Sequence, residues 1–323
     1  MRNVMKPLIA GLLASLSCVS ITATKWDMPT PYGDGTHHTQ NIREFAAEVA
    51  EKTNGELNIV VHSGASLIKH PEIHRAVRSG QVPIGEIFMG LLGNDNPIYQ
   101  VDNIPFLVSS FDGAHTLWQV TRPAVEKSLQ KQGLKLLFSV PWPPQGFYTK
   151  TRIEDIGDLK GIKMRAYSAT TSRLAELLEA SPTTVQTPEI PQAFSTGIID
   201  AMITSPTTGV SSQAWDYTAY YLDSQAWIPK NMVFVNARAF ARLPESVQTA
   251  VMEAATAAEA RGWKMAKAET DTKTAELAKN GMTVYQPSAK FASDLAAIGQ
   301  IMANEWAQEM GPKGQQILSE LKP

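Results

Sequence analysis

Residues 39–89, TQNIREFAAEVAEKTNGELNIVVHSGASLIKHPEIHRAVRSGQVPIGEIFM, switch twice between helical and strand patterning. Thr39–Thr53 puts Ile42, Phe45, Ala46, Val49 and Ala50 on one face of a 3.6-residue helix, and Asn54-Gly55 supplies its stop. Leu57–Val61 is a short apolar run that reads as a strand. Glu72–Val77 is helical again and ends at Ser79-Gly80, and Val82–Met89 returns to strand patterning. Strand, helix, strand, helix, strand at this spacing predicts a doubly wound, mainly parallel sheet.

The same rhythm extends outward. Upstream, Lys25–Met28 reads as a first strand ending at Pro29, and Thr30–His38 as a loop rich in Pro, Gly and Asp. Downstream, strands are expected at Leu134–Val140, Gly161–Arg165, Thr183–Val185, Ile199–Ile203 and Met232–Asn236. Helices are expected near Thr171–Leu178 and over Glu189–Thr196, the latter stopped by Gly197. Two α/β halves therefore meet near Trp142-Pro143-Pro144-Gln145-Gly146. Beyond Pro244, residues 245–279 contain no proline and one glycine, with abundant Ala, Glu and Lys. As one helix they would run about 52 Å at 1.5 Å per residue, longer than a single domain. Such a helix suits a crossing of both halves.

The expected architecture is α/β with two domains, each a mixed, mainly parallel sheet flanked by helices. Domain I takes residues 24–144 plus about 232–270, and domain II takes 145–231 plus about 271–323. Residues 1–23 read as an export signal: Arg2 and Lys6, then the apolar run Leu8–Val19, then Ile21-Thr22-Ala23 as the cleavage region. That run is shorter than the roughly 20 residues a membrane span needs. The one cysteine, Cys18, lies inside it, and Ser15-Leu16-Ser17 before it fits a lipoprotein signal poorly. A periplasmic location follows.

Composition excludes several classes. Of 323 residues, 29 are basic and 31 acidic, for a net charge of −2, and 43% are apolar. That balance is globular, and it lacks the basic surplus of a nucleic-acid binder. No thiol remains beyond Cys18, so disulfide and cysteine-metal chemistry are not expected. There is no nucleophile elbow, zinc-binding H-E-x-x-H or phosphate loop. His70 and His74 have i,i+4 spacing, but no third metal ligand accompanies them and they read better as surface imidazoles. Neither a metal nor a cofactor is expected.

In open α/β sheets ligands gather at the carboxyl ends of the strands. Those ends carry Met28-Pro29-Thr30-Pro31-Tyr32, then Phe88 and Met89, then Trp142 and Gln145, then Arg165, Tyr167 and Ser168, then Thr204 and Ser205. His37, in the loop before the first helix, either contacts ligand or simply precedes that helix. This set is apolar and aromatic, with hydroxyls, one amide and one guanidinium. It has no carboxylate–histidine pair for proton transfer, so it resembles a binding pocket more than a reaction centre. Arg165 can clamp a carboxylate with two parallel hydrogen bonds, or it can form a structural ion pair with Asp200 or Glu189. Trp215, Tyr217, Tyr220 and Tyr221 read as packing. Trp227 differs, because it precedes an expected interdomain crossing at Ile228–Asn231.

Three segments together carry a resemblance: Asp158-Leu159-Lys160-Gly161-Ile162-Lys163-Met164-Arg165, Ala180-Ser181-Pro182-Thr183, and Phe194-Ser195-Thr196-Gly197-Ile198-Ile199-Asp200. They resemble the DctP-type substrate-binding proteins of tripartite ATP-independent periplasmic (TRAP) transporters. Phe45–Gly55, Val77-Arg78-Ser79-Gly80 and Ile104-Pro105-Phe106 add to the likeness, which covers essentially the whole mature chain. The resemblance implies two lobes that close on a ligand, a carboxylate held by Arg165, delivery to a membrane permease of a large and a small subunit, and a monomer. It places Ser205 and Thr187 near the ligand. Asn231 and Trp227, at the crossing, complete the expected binding set. Gln145 stands where many members carry a second arginine, Thr204-Ser205-Pro206 replaces Glu-Asn-Pro, and Ala166-Tyr167 replaces a small residue plus proline. Fewer charges and more aromatic surface point to a monocarboxylate with an apolar or aromatic body. An exported α/β enzyme and a sensory ligand-binding module are the competing readings.

Overall fold

The computed structural model describes residues 23–321, so the expected export signal, with Cys18, lies outside the described residues except for Ala23. In the first half the elements are β1 (Thr24–Pro29), α1 (His37–Lys52), β2 (Leu57–His62), α2 (His70–Ser79), β3 (Ile84–Phe88), α3 (Phe111–Lys131) and β4 (Leu134–Pro141). The chain then crosses and builds β5 (Gly146–Thr149), β6 (Lys163–Ala166), α4 (Ala169–Leu177), β7 (Ser181–Thr184), α5 (Ile190–Ser195), β8 (Ala201–Thr204), α6 (Pro206–Ser211) and β9 (Tyr220–Leu222). It returns through β10 (Lys230–Asn236) and α7 (Ala237–Ala241), and continues into α8 (Glu245–Lys279), β11 (Thr283–Tyr285), α9 (Ala289–Met310) and α10 (Pro312–Glu320).

One lobe holds the parallel pair β1-β2 and the sheet β3-β10-β4. The other holds the six-stranded sheet β11-β9-β5-β8-β6-β7. This is the expected two-domain α/β fold. The strands called from hydropathy pair in parallel where a helix intervenes: β1 with β2, and β6 with both β7 and β8. The antiparallel pairs all involve β5 or β10. These are the strands that enter a lobe from the other one, so they run against their neighbours: β10 makes every pairing in the three-stranded sheet antiparallel, and β5 makes the six-stranded sheet mixed.

The two crossings lie side by side. Trp142 N–H donates to the Pro229 carbonyl (2.8 Å), Gln145 N–H donates to that of Trp227 (3.0 Å), and Ala226 N–H donates back to Gln145 (2.9 Å). Pro143 and Pro144, between the bonded residues, have no N–H to add. The two crossings therefore hold each other through a few backbone bonds.

Helix α8 begins and ends as the sequence predicts. It packs on α1 and β4 in one lobe and reaches α6 and β11 in the other. Between Val247 and Val251 near its start and Leu277 near its end, its buried face is made of small residues: Ala254, Ala255, Ala258, Gly262 and Ala266. A Cβ on Gly262 would sit 2.5 Å from Val140 Cγ2, so glycine is what lets the helix lie this close to β4. The long helices α3 and α9 had no counterpart in the sequence reading. Pro123 lies inside α3, where a proline ordinarily signals a break. Helix α9 packs on the 97–103 turn of the first lobe and on α4 of the second, and Trp306 Nε1 donates to the Pro97 carbonyl (2.7 Å).

Candidate functional site

A cavity lies between the lobes. From the first lobe and the crossings it is lined by Tyr32, His70, Phe88, Trp142, Gln145 and Pro229. From the second lobe come Arg165, Tyr167, Gln186, Thr187, Thr204 and Thr208. The carboxyl ends of β3, β4, β6 and β8 all point here, as the strand-end rule requires.

Arg165 sits near the end of β6 and is 2% exposed. Its Nε donates to the Val185 carbonyl (2.9 Å) and its Nη2 reaches Thr187 Oγ1 (3.5 Å), while Nη1 is buried without a partner. The guanidinium lies over the Tyr167 ring, 4.9 Å from its centre. Burial pushes its pKa down to about 10, although the facing tyrosines act against that. Neither structural partner considered from sequence holds it: Asp200 pairs with Lys150 (2.7 Å), and Glu189 accepts from Gln186 N–H (2.9 Å). A buried cation without a carboxylate is costly, and its free N–H edge suits an anion.

The neutral walls are tied together from behind. Asn231 Oδ1 accepts from Trp142 Nε1 (2.8 Å) and from the Tyr32 hydroxyl (3.3 Å). Gln145 Oε1 accepts from the Tyr167 hydroxyl (3.3 Å), and its Nε2 donates to the Pro143 carbonyl (2.8 Å). The Tyr167 and Phe88 rings meet edge to face at 5.3 Å. Burial raises the Tyr167 hydroxyl's pKa, so it stays a donor at neutral pH.

A family model described as "Bacterial extracellular solute-binding protein, family 7" (DctP) matches residues 30–310. The chain belongs to this family. Among solved structures, DctP7 of Bordetella pertussis, an extracytoplasmic solute receptor binding pyroglutamic acid, is 50% identical. That likeness has a TM-score of 0.92 and covers 93% of this chain and 100% of that one. DctP6 of the same organism, also binding pyroglutamic acid, is 41% identical at a TM-score of 0.91, covering 92% and 99%. A marine metagenome TRAP solute-binding protein specific for pyroglutamate is 34% identical at 0.91, covering 93% and 98%. This chain is thus a TRAP-type extracytoplasmic solute receptor whose site is suited to a small organic acid.

Of the residues this family member was expected to use, the cavity brings together Phe88, Trp142, Gln145, Arg165, Tyr167, Thr187 and Thr204. The others stand behind or beside it. Ser168 and Ser205 cap α4 and α6, accepting from Thr171 N–H (3.2 Å) and Thr208 N–H (3.1 Å). Met89 and Trp227 are fully buried in the core that backs the cavity, and Asn231 is the brace described above. His37, at the start of α1, points its two ring nitrogens at Glu269 Oε2 (3.0 Å) and the Pro141 carbonyl (2.9 Å). The Thr207 hydroxyl bonds the same Glu269 oxygen, so this cluster joins α1, α8 and α6.

His70 and His74 are not surface imidazoles: both are under 10% exposed. Helix α2 packs against β3 and carries His70 to the cavity wall, where its Nε2 accepts from Phe88 N–H (3.2 Å). Pairing it with His74 as an i,i+4 couple hid this role. Gln186, Thr208 and Pro229 were also missed, and only the expected crossing at Ile228–Asn231 pointed toward one of them. Among the described residues no group of three or more His, Cys, Asp or Glu side chains is placed to hold a metal ion. No described helix is long and apolar enough to cross a membrane.

Proposed function

We propose that this chain is a receptor for pyroglutamate, the cyclic lactam of glutamate, and that it delivers this ligand to a membrane permease of one large and one small subunit. One observation carries the reading: a fully buried guanidinium with a free N–H edge faces a cavity whose remaining lining is uncharged. Pyroglutamate has one carboxylate for that edge. Its small ring presents one N–H, one carbonyl and three apolar carbons to hydroxyls, an amide and aromatic faces. The three relatives that bind it, at 34–50% identity, support the same ligand. It also fits the expected monocarboxylate with an apolar body.

The lobes proposed to close around it are 24–144 plus about 232–270, and 145–231 plus about 271–323. Residues 1–23 serve as the export signal, Arg165 holds the carboxylate, and the receptor acts as a monomer without cofactor. It returns the ligand unchanged rather than transforming it. Calorimetry with pyroglutamate, proline, glutamate and malate tests the reading. One-to-one binding of pyroglutamate, recovered intact and at least 100-fold tighter than the others, is the expected result. Preference for a dicarboxylate, or turnover of the bound molecule, would refute it.

A further inference from the structure

Glu86 is a carboxylate in the middle of β3, 1% exposed, directly behind the cavity's first-lobe wall. Its Oε2 accepts from the Thr30 hydroxyl (2.5 Å) and its Oε1 from Asn231 Nδ2 (3.0 Å). Those bonds fix the Asn231 amide, because with Nδ2 committed to the carboxylate its Oδ1 must face Trp142 and Tyr32. The remaining neighbour is His38, whose Nδ1 lies 3.3 Å from Oε1. Burial holds His38 neutral, with a pKa near 4, so it leaves the charge of Glu86 uncancelled. Burial by itself would raise the Glu86 carboxyl; the polar His38 ring beside it and the hydrogen bonds from Thr30 and Asn231 act against that and favour the ionised form.

The other buried charges near the crossing have different surroundings. Lys230 pairs with Asp102 at 3.1 Å with neither exposed, whereas Glu269 is bonded by His37 and Thr207 and keeps some solvent contact. The cavity therefore lies between Arg165, which has no ion-pair partner, in the second lobe and the fully buried Glu86 carboxylate in the first.

We infer that Glu86 is the specificity-determining residue that limits the ligand to a single negative charge. This rests on the proposed carboxylate clamp at Arg165. A carboxylate at Arg165 gains from the guanidinium at contact distance. A second carboxylate reaching toward Tyr32 and Trp142 would meet Glu86 across one layer of side chains in a low-dielectric setting, where repulsion is weakly screened. An amide or lactam carbonyl in the same place carries no such penalty. The selection is by charge rather than by size.

The test uses an isosteric pair, glutarate and its mono-amide, with pyroglutamate as reference, on the full mature receptor. The wild type is expected to bind the mono-amide at least 100-fold more tightly than glutarate. Glu86→Gln keeps the shape and should narrow that ratio at least tenfold; a merely structural role would lower both affinities together and leave the ratio alone. The wild-type comparison stands even if the variant fails to fold. Equal affinities for the pair in the wild type, or an unchanged ratio in a folded Glu86→Gln receptor, overturns the inference. Failure of the wild type to bind pyroglutamate while it still separates the pair would remove the proposed ligand and leave the charge rule in place.

Discussion

His70 Nδ1 and Gln186 Oε1 lie 3.1 Å apart across the cavity, one contributed by each lobe. Because Phe88 N–H donates to the opposite ring nitrogen, the hydrogen must sit on Nδ1, and the imidazole donates to the Gln186 carbonyl oxygen. The bond can form only when the lobes are together, so it favours the closed arrangement. His70→Ala is expected to weaken ligand binding about tenfold or more, combining one lost hydrogen bond with a stranded Phe88 N–H. A double-mutant cycle with Gln186→Ala should show coupling of about 1 kcal/mol in ligand affinity. Strictly additive effects would mean that the two residues do not act as a clasp.

Acid should loosen the protein earlier than its carboxylates alone would predict. Burial lowers the pKa of both His38 and His70 to about 4. An unfolded histidine takes up its proton near pH 6.5. Between those values the unfolded chain binds more protons, so stability falls as the pH falls. It should be full above about pH 7 and decline progressively toward pH 4, each histidine contributing at most about 3 kcal/mol at 1.36 kcal/mol per pKa unit. Melting temperatures from pH 8 to 4 check this. A flat profile down to pH 5 would show that these imidazoles are not held neutral.

What the sequence made legible was whatever depends on local pattern. The α1–β2–α2–β3 run, the long α8 and the position of Arg165 were all readable, because hydrophobic period, helix stops and strand ends are written in neighbouring residues. The three-residue strands β9 and β11 were not, since so short an apolar run has no period to detect. Helix α3 was masked by its internal Pro123. The site's second row was equally hidden. Glu86 sits in a run that reads simply as strand, and its tie to Asn231 spans 145 residues of sequence. Ser168 and Ser205 followed the strand-end rule but were claimed by helix capping, which uses the same residue types at the same places.

At Gly299, α9 lies directly against the backbone of Pro105 in the first lobe. A Cβ there would lie 2.0 Å from the Pro105 carbonyl oxygen, which is backbone and cannot rotate away. Gly299→Ala should therefore cost about 3 kcal/mol, by forcing the helix off the turn beneath it. Gly33→Ala, with nothing within 4 Å of the added carbon, should be nearly neutral. Urea denaturation of the two variants separates them. Equal midpoints would show that α9 can shift freely over this segment.

Arg165 gives a test in which stability and function should move in opposite directions. Its Nη1 is buried and unpartnered, and no described carboxylate forms an ion pair with it. Methionine keeps much of the length and packing while removing the charge, so the desolvation penalty disappears with it. Against that gain stands the loss of the donor to the Val185 carbonyl, about 1 kcal/mol. The ligand-free Arg165→Met protein should melt at the wild-type temperature or above. Its affinity for carboxylates should fall at least 100-fold, because two charge-assisted hydrogen bonds contribute about 3 kcal/mol or more together. Arg165→Lys restores a charge but not the fork, and should recover only part of the binding. A guanidinium kept for the fold would behave otherwise: its removal would lower the melting temperature sharply and reduce binding only in proportion to the unfolded fraction. Calorimetric melting and ligand titration on the same samples distinguish the two.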